Sequence, residues 1–256
     1  HPDGDWAVLL RPAVGQLVLA QIPAARQATI HAGIAEALQQ RSPDPWQERR
    51  IAWHAAHGAT PDQAPEALLR LGASLQADGE SQLALEALDK ARHLPGTPTI
   101  IAARLALIRG QVLESLARRQ DAAASLEHAQ ELAARTGETE VLGQALTALA
   151  RTRRELGDHR RAATLADEAV EVLELLPPGP ALAEALLEAA RGDRLAGRSK
   201  QSTLRLNRCR TIAEALRSDD MLARANGAIG LLQAENGRLE DAEKSIEQEV
   251  AWLRTS

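Results

Sequence analysis

The sequence predicts an all-α protein: a right-handed α-solenoid of about five helical hairpins behind a short helical junction segment. Three observations carry this reading. Ala and Leu carry the apolar content, with no Phe, no Tyr, one Met and four Trp among 256 residues, so sheet-favouring aromatics are scarce. Turn positions recur at a nearly fixed period: Gly79, Ala117, Gly157, Gly197 and Gly237 are spaced by 38, 40, 40 and 40 residues. Small and large residues then line up in phase with those turns.

Seven positions before each turn stand Gly72, Gly110, Ala150, Ala190 and Gly230. Five after stand Ala84, Ala122, Ala162, Ser202 and Ala242, and nine after stand Leu88, Leu126, Ala166, Leu206 and Ile246. Twelve after stand Ala91, Ala129, Ala169 and Cys209, with Glu249 breaking the column. Two antiparallel helices joined by a tight turn need small residues where their backbones meet and a large one nearby to lock the contact. Glycine just past a helix end supplies the left-handed conformation that reverses the chain.

The predicted helix pairs are 62–78 with 80–93, 98–116 with 119–135, 139–156 with 158–175, 180–196 with 199–216, and 219–236 with 238–254. Breakers mark the joints: Pro95-Gly96 with Pro98, Thr136-Gly137, Pro177-Pro178-Gly179-Pro180, and Ser218-Asp219. Residues 1–60 lie outside the repeat, with helices expected over 11–21, 24–40 and 45–58, started by Pro12, Pro23 and Pro45. The expected division is therefore a helical junction over 1–60 and a repeat domain over 61–256.

The turn strings Gly157-Asp158-His159-Arg160-Arg161-Ala162 and Gly237-Arg238-Leu239-Glu240-Asp241-Ala242 resemble the tetratricopeptide (TPR) repeat. The missing large aromatics and the period near 40 are similar to the MalT-like subtype of bacterial signalling proteins. The junction strings Arg11-Pro12-Ala13-Val14, Ile22-Pro23-Ala24-Ala25-Arg26, His31-Ala32-Gly33-Ile34-Ala35-Glu36-Ala37-Leu38 and Arg49-Arg50-Ile51-Ala52-Trp53-His54-Ala55-Ala56 resemble the region where STAND-class ATPase regulators, including LuxR-type activators, pass from a winged-helix module to their repeats. That resemblance implies that Trp6-Ala7-Val8-Leu9-Leu10 is the remnant of a winged-helix strand. It also implies that this chain, which opens on His1, is a piece of a longer cytoplasmic regulator with an ATPase module.

A net charge of −5 argues against general nucleic-acid binding, and no direct nucleic-acid contact is expected. No apolar run is long enough for a membrane span, so no membrane partner is expected. The lone Cys209 can form neither an internal disulfide nor a cysteine metal site, and its place in a small-residue column reads as a buried, inert thiol. Gly192-Asp193-Arg194-Leu195-Ala196-Gly197-Arg198-Ser199 has the spacing of a phosphate loop. That motif needs a preceding strand, however, and Gly197 is already a repeat turn. His54 and His57 stand one helical turn apart without an evident third ligand, so they read as structural, and His31 reads as an interhelix packing residue. No nucleophile–base or paired-acid set can be assembled, so neither catalysis, a cofactor nor a metal is expected.

The candidate binding site is a groove. Positions six and three before each turn should face it, which gives Gln111 and Glu114, Arg151 and Arg154, Arg191 and Arg194, then Leu231 and Ala234. Arg104, Gln144 and Arg224 would border it. Four central arginines suit an acidic peptide, a protein partner or an acidic small effector, because the guanidinium fork pairs with carboxylate and phosphate. The plainer reading is that Glu155, Glu184 and Glu188 neutralise them as ordinary ion pairs. Arg151 and Arg191 are expected to face solvent, so that reversing their charge would abolish binding without unfolding the chain. Ile246, Val250, Trp252 and Leu253 give the last helix an apolar edge, which points to a continuing chain or a homodimer interface. A scaffold or oligomerisation domain with no small ligand is the alternative function.

Overall fold

The computed structural model describes residues 21–40 and 45–254, with the side chains of 45–48, 248–249 and 251–253 left aside. The expected helix at 11–21 and strand remnant at Trp6–Leu10 lie outside the described residues. So do the side chains of Trp252 and Leu253.

The described residues form twelve α-helices and no strand. They are α1 (Ala24–Gln39), α2 (Pro45–Gly58), α3 (Ala64–Ala77), α4 (Ser81–Arg92), α5 (Thr99–Ser115), α6 (Arg119–Thr136), α7 (Thr139–Glu155), α8 (His159–Leu173), α9 (Pro180–Leu195), α10 (Ser199–Leu216), α11 (Asp219–Glu235) and α12 (Leu239–Leu253). Each predicted helix in the described range is present with its ends shifted by at most two residues. The chain divides into two compact units, the first running to Thr97 and the second from Pro98. Unit 1 holds the hairpins α1–α2 and α3–α4, and unit 2 holds the four hairpins from α5–α6 to α11–α12.

All five repeat turns are built alike. Gly79, Gly157, Gly197 and Gly237 have φ of 78°, 87°, 72° and 76°, and Ala117 takes the same conformation at 57°. At each turn two backbone amides close back on the helix. In α7, Gly157 N–H donates to the Arg154 carbonyl and Asp158 N–H to the Arg153 carbonyl, at 3.0 and 2.9 Å. This pair satisfies carbonyls that a helix end would otherwise leave open. Ala117 keeps the hydrogen bonds but carries a Cβ into a region that favours glycine. Ala117→Gly should therefore raise stability by up to about 1 kcal/mol, and Gly157→Val should lower it by about 1 kcal/mol or more. Paired urea-denaturation midpoints measure both.

The size columns meet each other inside the hairpins. A Cβ on Gly72 would lie 2.6 Å from Leu88, one on Gly110 would lie 2.5 Å from Leu126, and one on Gly230 would lie 2.8 Å from Ile246. In these three hairpins glycine stands where the partner is a large residue reaching across the crossing, whereas the α9–α10 hairpin sets Ala190 in the column opposite Leu206. In the α7–α8 hairpin the same two positions hold Ala150 and Ala166, so bulk is shared differently. Ser202, in the small column, is buried because its hydroxyl donates to the Ala190 carbonyl at 2.9 Å.

In unit 2 the second helix of each hairpin packs on the first helix of the next, and α7, α9 and α11 also touch in sequence. The core between them is built mainly of leucines, among them Leu126, Leu146, Leu149, Leu165, Leu173, Leu186, Leu187 and Leu206, and of alanines, with no aromatic ring among its described residues. Thin alanine faces let the helices approach closely, which brings side chains of neighbouring first helices within ion-pair distance. That spacing builds the site described next.

Candidate binding cleft

A cleft of about 380 Å³ opens in unit 2 between α7, α9, α10 and α11. Arg154, Arg191, Arg194 and Arg224 stand around it, Leu195, Leu206 and Leu231 supply apolar wall, and no carboxylate lines it. The repeat explains the convergence. Arg154 and Arg194 hold the same position three before their turns, Arg191 and Leu231 hold the position six before, and stacking of α7, α9 and α11 brings those positions together.

The arginines are not free. Arg154 donates through Nε to Glu188 at 2.7 Å, and Arg191 donates through Nη1 to the other oxygen of the same carboxylate at 3.2 Å. Arg194 pairs with Glu235, and Arg224 donates to Glu184 at 2.7 Å. Glu188 is only 4% exposed, so one buried carboxylate serves two guanidiniums. Each cleft arginine makes one hydrogen bond to these acids, out of the five N–H donors of a guanidinium, and Arg224 also has Asp220 at 3.8 Å. Glu184 and Glu188 act as the sequence suggested, whereas Glu155 pairs with Arg119 at 2.9 Å instead.

Arg151 belongs to a neighbouring ladder rather than to the cleft lining. It grips Glu114 with two bonds of 3.2 Å and Glu184 at 3.1 Å, while the Thr152 hydroxyl also reaches Glu114 at 2.7 Å. The ladder Glu114–Arg151–Glu184–Arg224 therefore crosses α5, α7, α9 and α11. Burial opposes the charge on Glu184, but the Arg224 hydrogen bond and the guanidiniums of Arg224, Arg151 and Arg191 outweigh it and hold the carboxyl below its usual range. Burial likewise opposes the charge on Arg151, and its bonds to Glu114 overcome that. Arg224 is held above its ordinary value mainly by the Glu184 hydrogen bond.

Arg151 and Arg191 were expected to face solvent. Both are part-buried and paired, so charge reversal there would set a carboxylate beside Glu114 or Glu188 and disturb the fold. Gln111 and Gln144 do not line the cleft, and Gln144 bonds Glu140 on its own helix at 3.4 Å. Arg224, read from sequence as a border residue, is part of the lining.

Sequence reasoning missed the buried role of Asp193, although a signal was present. Asp193 stands four before its turn, where the first two repeats have the buried Leu75 and Leu113. It is 1% exposed, with Arg198 Nε at 2.7 Å and Arg205 Nη1 at 3.0 Å, the latter close but poorly directed. Asp193 and Arg198 of the phosphate-loop-like string thus pair with each other, and its third charged residue, Arg194, lines the cleft. Cys209 is fully buried, and burial, then Glu184, pushes its thiol up to about 11, which leaves it protonated at neutral pH.

On α12, Ile246 is 40% and Val250 36% exposed, and Ile246 also packs against Gly230. No helix among the described residues is long and apolar enough to cross a membrane. Among the described residues no group of three or more His, Cys, Asp or Glu is placed to hold a metal.

No family model matches the chain, and neither does any curated protein. Solved structures do. BtubC (BKLC) from P. vanneervenii superposes with a TM-score of 0.64 at 16% identity, covering 92% of both chains. The apo form of RapI gives 0.65 at 10% identity, over 89% of this chain and 98% of that one. A STAND protein with a tetratricopeptide repeat sensor from Pyrococcus horikoshii gives 0.67 at 13% identity, over 90% of this chain and 36% of its own length. At these identities the likeness concerns fold: the chain has a TPR-like helical-repeat fold.

Proposed function

We propose that unit 2 is a docking module that seats an acidic segment of a protein partner in the arginine cleft. The observation that carries this reading is the lining: four guanidiniums and three leucines with no facing carboxylate. Their partners Glu184, Glu188 and Glu235 stand outside the lining and fix their orientation, so an arriving carboxylate meets oriented donors at little further ordering cost. Charge-assisted bonds of this type contribute about 1.5–3 kcal/mol each. The leucine wall favours an acidic stretch that includes an aliphatic side chain over a bare anion, and an acidic small effector is the narrower form of the same chemistry.

The junction and turn strings extend the proposal to a parent molecule. The module would be the sensor of a bacterial STAND-class, LuxR-type transcription regulator in the cytoplasm, with 1–60 as its junction and 61–256 as its repeat domain. The P. horikoshii protein, described as a STAND protein with such a sensor, supports that placement. Binding would bias the parent only through a difference in affinity between two of its states.

A scaffold role with homodimerisation through the C-terminal edge is a second reading, favoured by the exposed Ile246 and Val250 on α12. One preparation tests both. A fluorescein-labelled Asp-Glu-Leu-Asp-Glu-Leu peptide should bind at least ten-fold more tightly than its Asn-Gln-Leu-Asn-Gln-Leu counterpart, a difference of about 1.4 kcal/mol or more. Equal affinities would sink the cleft reading. Light scattering that gave a dimer, broken by Ile246→Glu with Val250→Glu, would favour the scaffold.

A further inference from the structure

Three histidines meet in unit 1: His54 and His57, one turn apart on α2, and His31 on α1. Nδ1 of His31 on α1 lies 2.9 Å from Nδ1 of His54 on α2. The His57 ring stacks on Trp53 with centroids 4.0 Å apart, its Nδ1 lies 2.7 Å from the Trp53 carbonyl, and its centroid is 5.4 Å from that of His31. Nothing in the binding reading uses this cluster.

A nitrogen–nitrogen contact of 2.9 Å holds only with one proton between the two atoms. The neutral pair satisfies this when the two rings adopt complementary tautomers. The singly protonated pair satisfies it too, since the imidazolium Nδ1–H donates to the neutral ring. The doubly protonated pair does not, because both Nδ1 atoms then carry hydrogen and two cations face each other. The two helices meet closely beside the pair. A Cβ on Gly58 would sit 2.4 Å from the backbone nitrogen of Ala32, the residue after His31, so the crossing is already at backbone contact.

We propose that the His31–His54 pair is an acid-released latch: the second proton breaks the contact and loosens α1 from α2.

Among the described residues, the groups that act on the pair add positive charge. His57 faces His31, and Arg50 and His57 of α2 face His54. Elsewhere on the packed elements, Glu66 and Arg70 of α3 pair with each other at 2.9 Å, Arg49 pairs with Asp78 at 3.6 Å, and α1 carries Arg26 and Glu36. Burial, then the neighbouring cations, hold both His31 and His54 below the ordinary 6.5. The folded values lie below the unfolded one, so acid favours the open hairpin. The latch is fully effective above pH 6.5 and is lost as pH falls below it through the folded values, the rings titrating as a coupled set.

Hydrogen–deuterium exchange on the whole chain at pH 7.5 and 5.5, corrected for intrinsic rates, tests the latch. Protection of α1 and α2 should fall at least five-fold more than that of α7 to α9. His54→Gln keeps a side-chain hydrogen bond without a second charge, and should remove that difference. Wild-type protection in α1 and α2 that tracks α7 to α9 would overturn the proposal, and so would a His54→Gln chain that loosens in acid like the wild type. If the variant does not fold, nitrogen-detected titration of the wild-type rings decides: depressed, coupled steps for His31 and His54 support the latch, and two independent steps at 6.5 contradict it.

Discussion

Asp193→Ala should destabilise unit 2 by about 2–3 kcal/mol, a large fraction of the stability of such a domain. The carboxylate is 1% exposed and sits between Arg198 and Arg205, and Arg205 is itself only 17% exposed. Alanine would leave Arg205 facing a small cavity with half its partners gone. The loss is held below the upper range for a broken buried pair, about 5 kcal/mol, for two reasons. Arg205 keeps Asp167 at 2.7 Å, and Arg198 is half exposed and regains water. Asp193→Asn should recover part of the loss, because an amide oxygen still accepts from one guanidinium. Urea unfolding of the three chains measures the difference at constant m-value. A cost under 0.5 kcal/mol for Asp193→Ala would mean that the carboxylate is not structural.

Gly143→Ala should cost about 3 kcal/mol, and more than Gly→Ala at any turn glycine. A Cβ at residue 143 would lie 2.3 Å from Leu173 Cγ, with both Leu173 methyl carbons within 2.8 Å. Leu173 is 2% exposed and its Cγ is not a free end, so the α7–α8 crossing must widen. Leu173→Ala alone removes core contacts and costs about 2–5 kcal/mol. The double variant should cost clearly less than the two single losses together, since each change relieves the other. Additive losses would show that the two residues do not share the crossing.

These two sites also mark how far the sequence can be read. Gly72, Gly110 and Gly230 with Leu88, Leu126 and Ile246 were legible because a period of about 40 repeats one packing problem, and the same physics answers it each time. Turn glycines were legible for the same reason, and Ala117 was found through its phase alone. The structural role of Asp193 was not read, because its column holds Leu75 and Leu113 in two repeats but the polar Arg153 and Gln233 in two others, so no rule of the repeat marks the position as buried. The ion pairs were only half legible. Arg154 with Glu188 and Arg194 with Glu235 join residues 34 and 41 apart on neighbouring repeats, and which pairs form depends on a tilt that one repeat does not encode. The His31–His54 contact spans 23 residues across a hairpin with no periodic counterpart, so nothing in the columns announced it.

The central claim is that the cleft arginines are there for a ligand and not only for one another. Exchanging the partners of one pair separates these roles. Arg194→Glu combined with Glu235→Arg keeps an ion pair at the cleft rim while replacing one lining guanidinium with a carboxylate. The measurement is the affinity of the swapped chain for the fluorescein-labelled Asp-Glu-Leu-Asp-Glu-Leu peptide, taken alongside its melting temperature. The account predicts a melting temperature within about 2 °C of the wild type, because the pair is re-formed near the surface, and binding at least ten-fold weaker. Unchanged affinity in a chain of unchanged melting temperature would contradict it and leave the arginines as structural ion pairs.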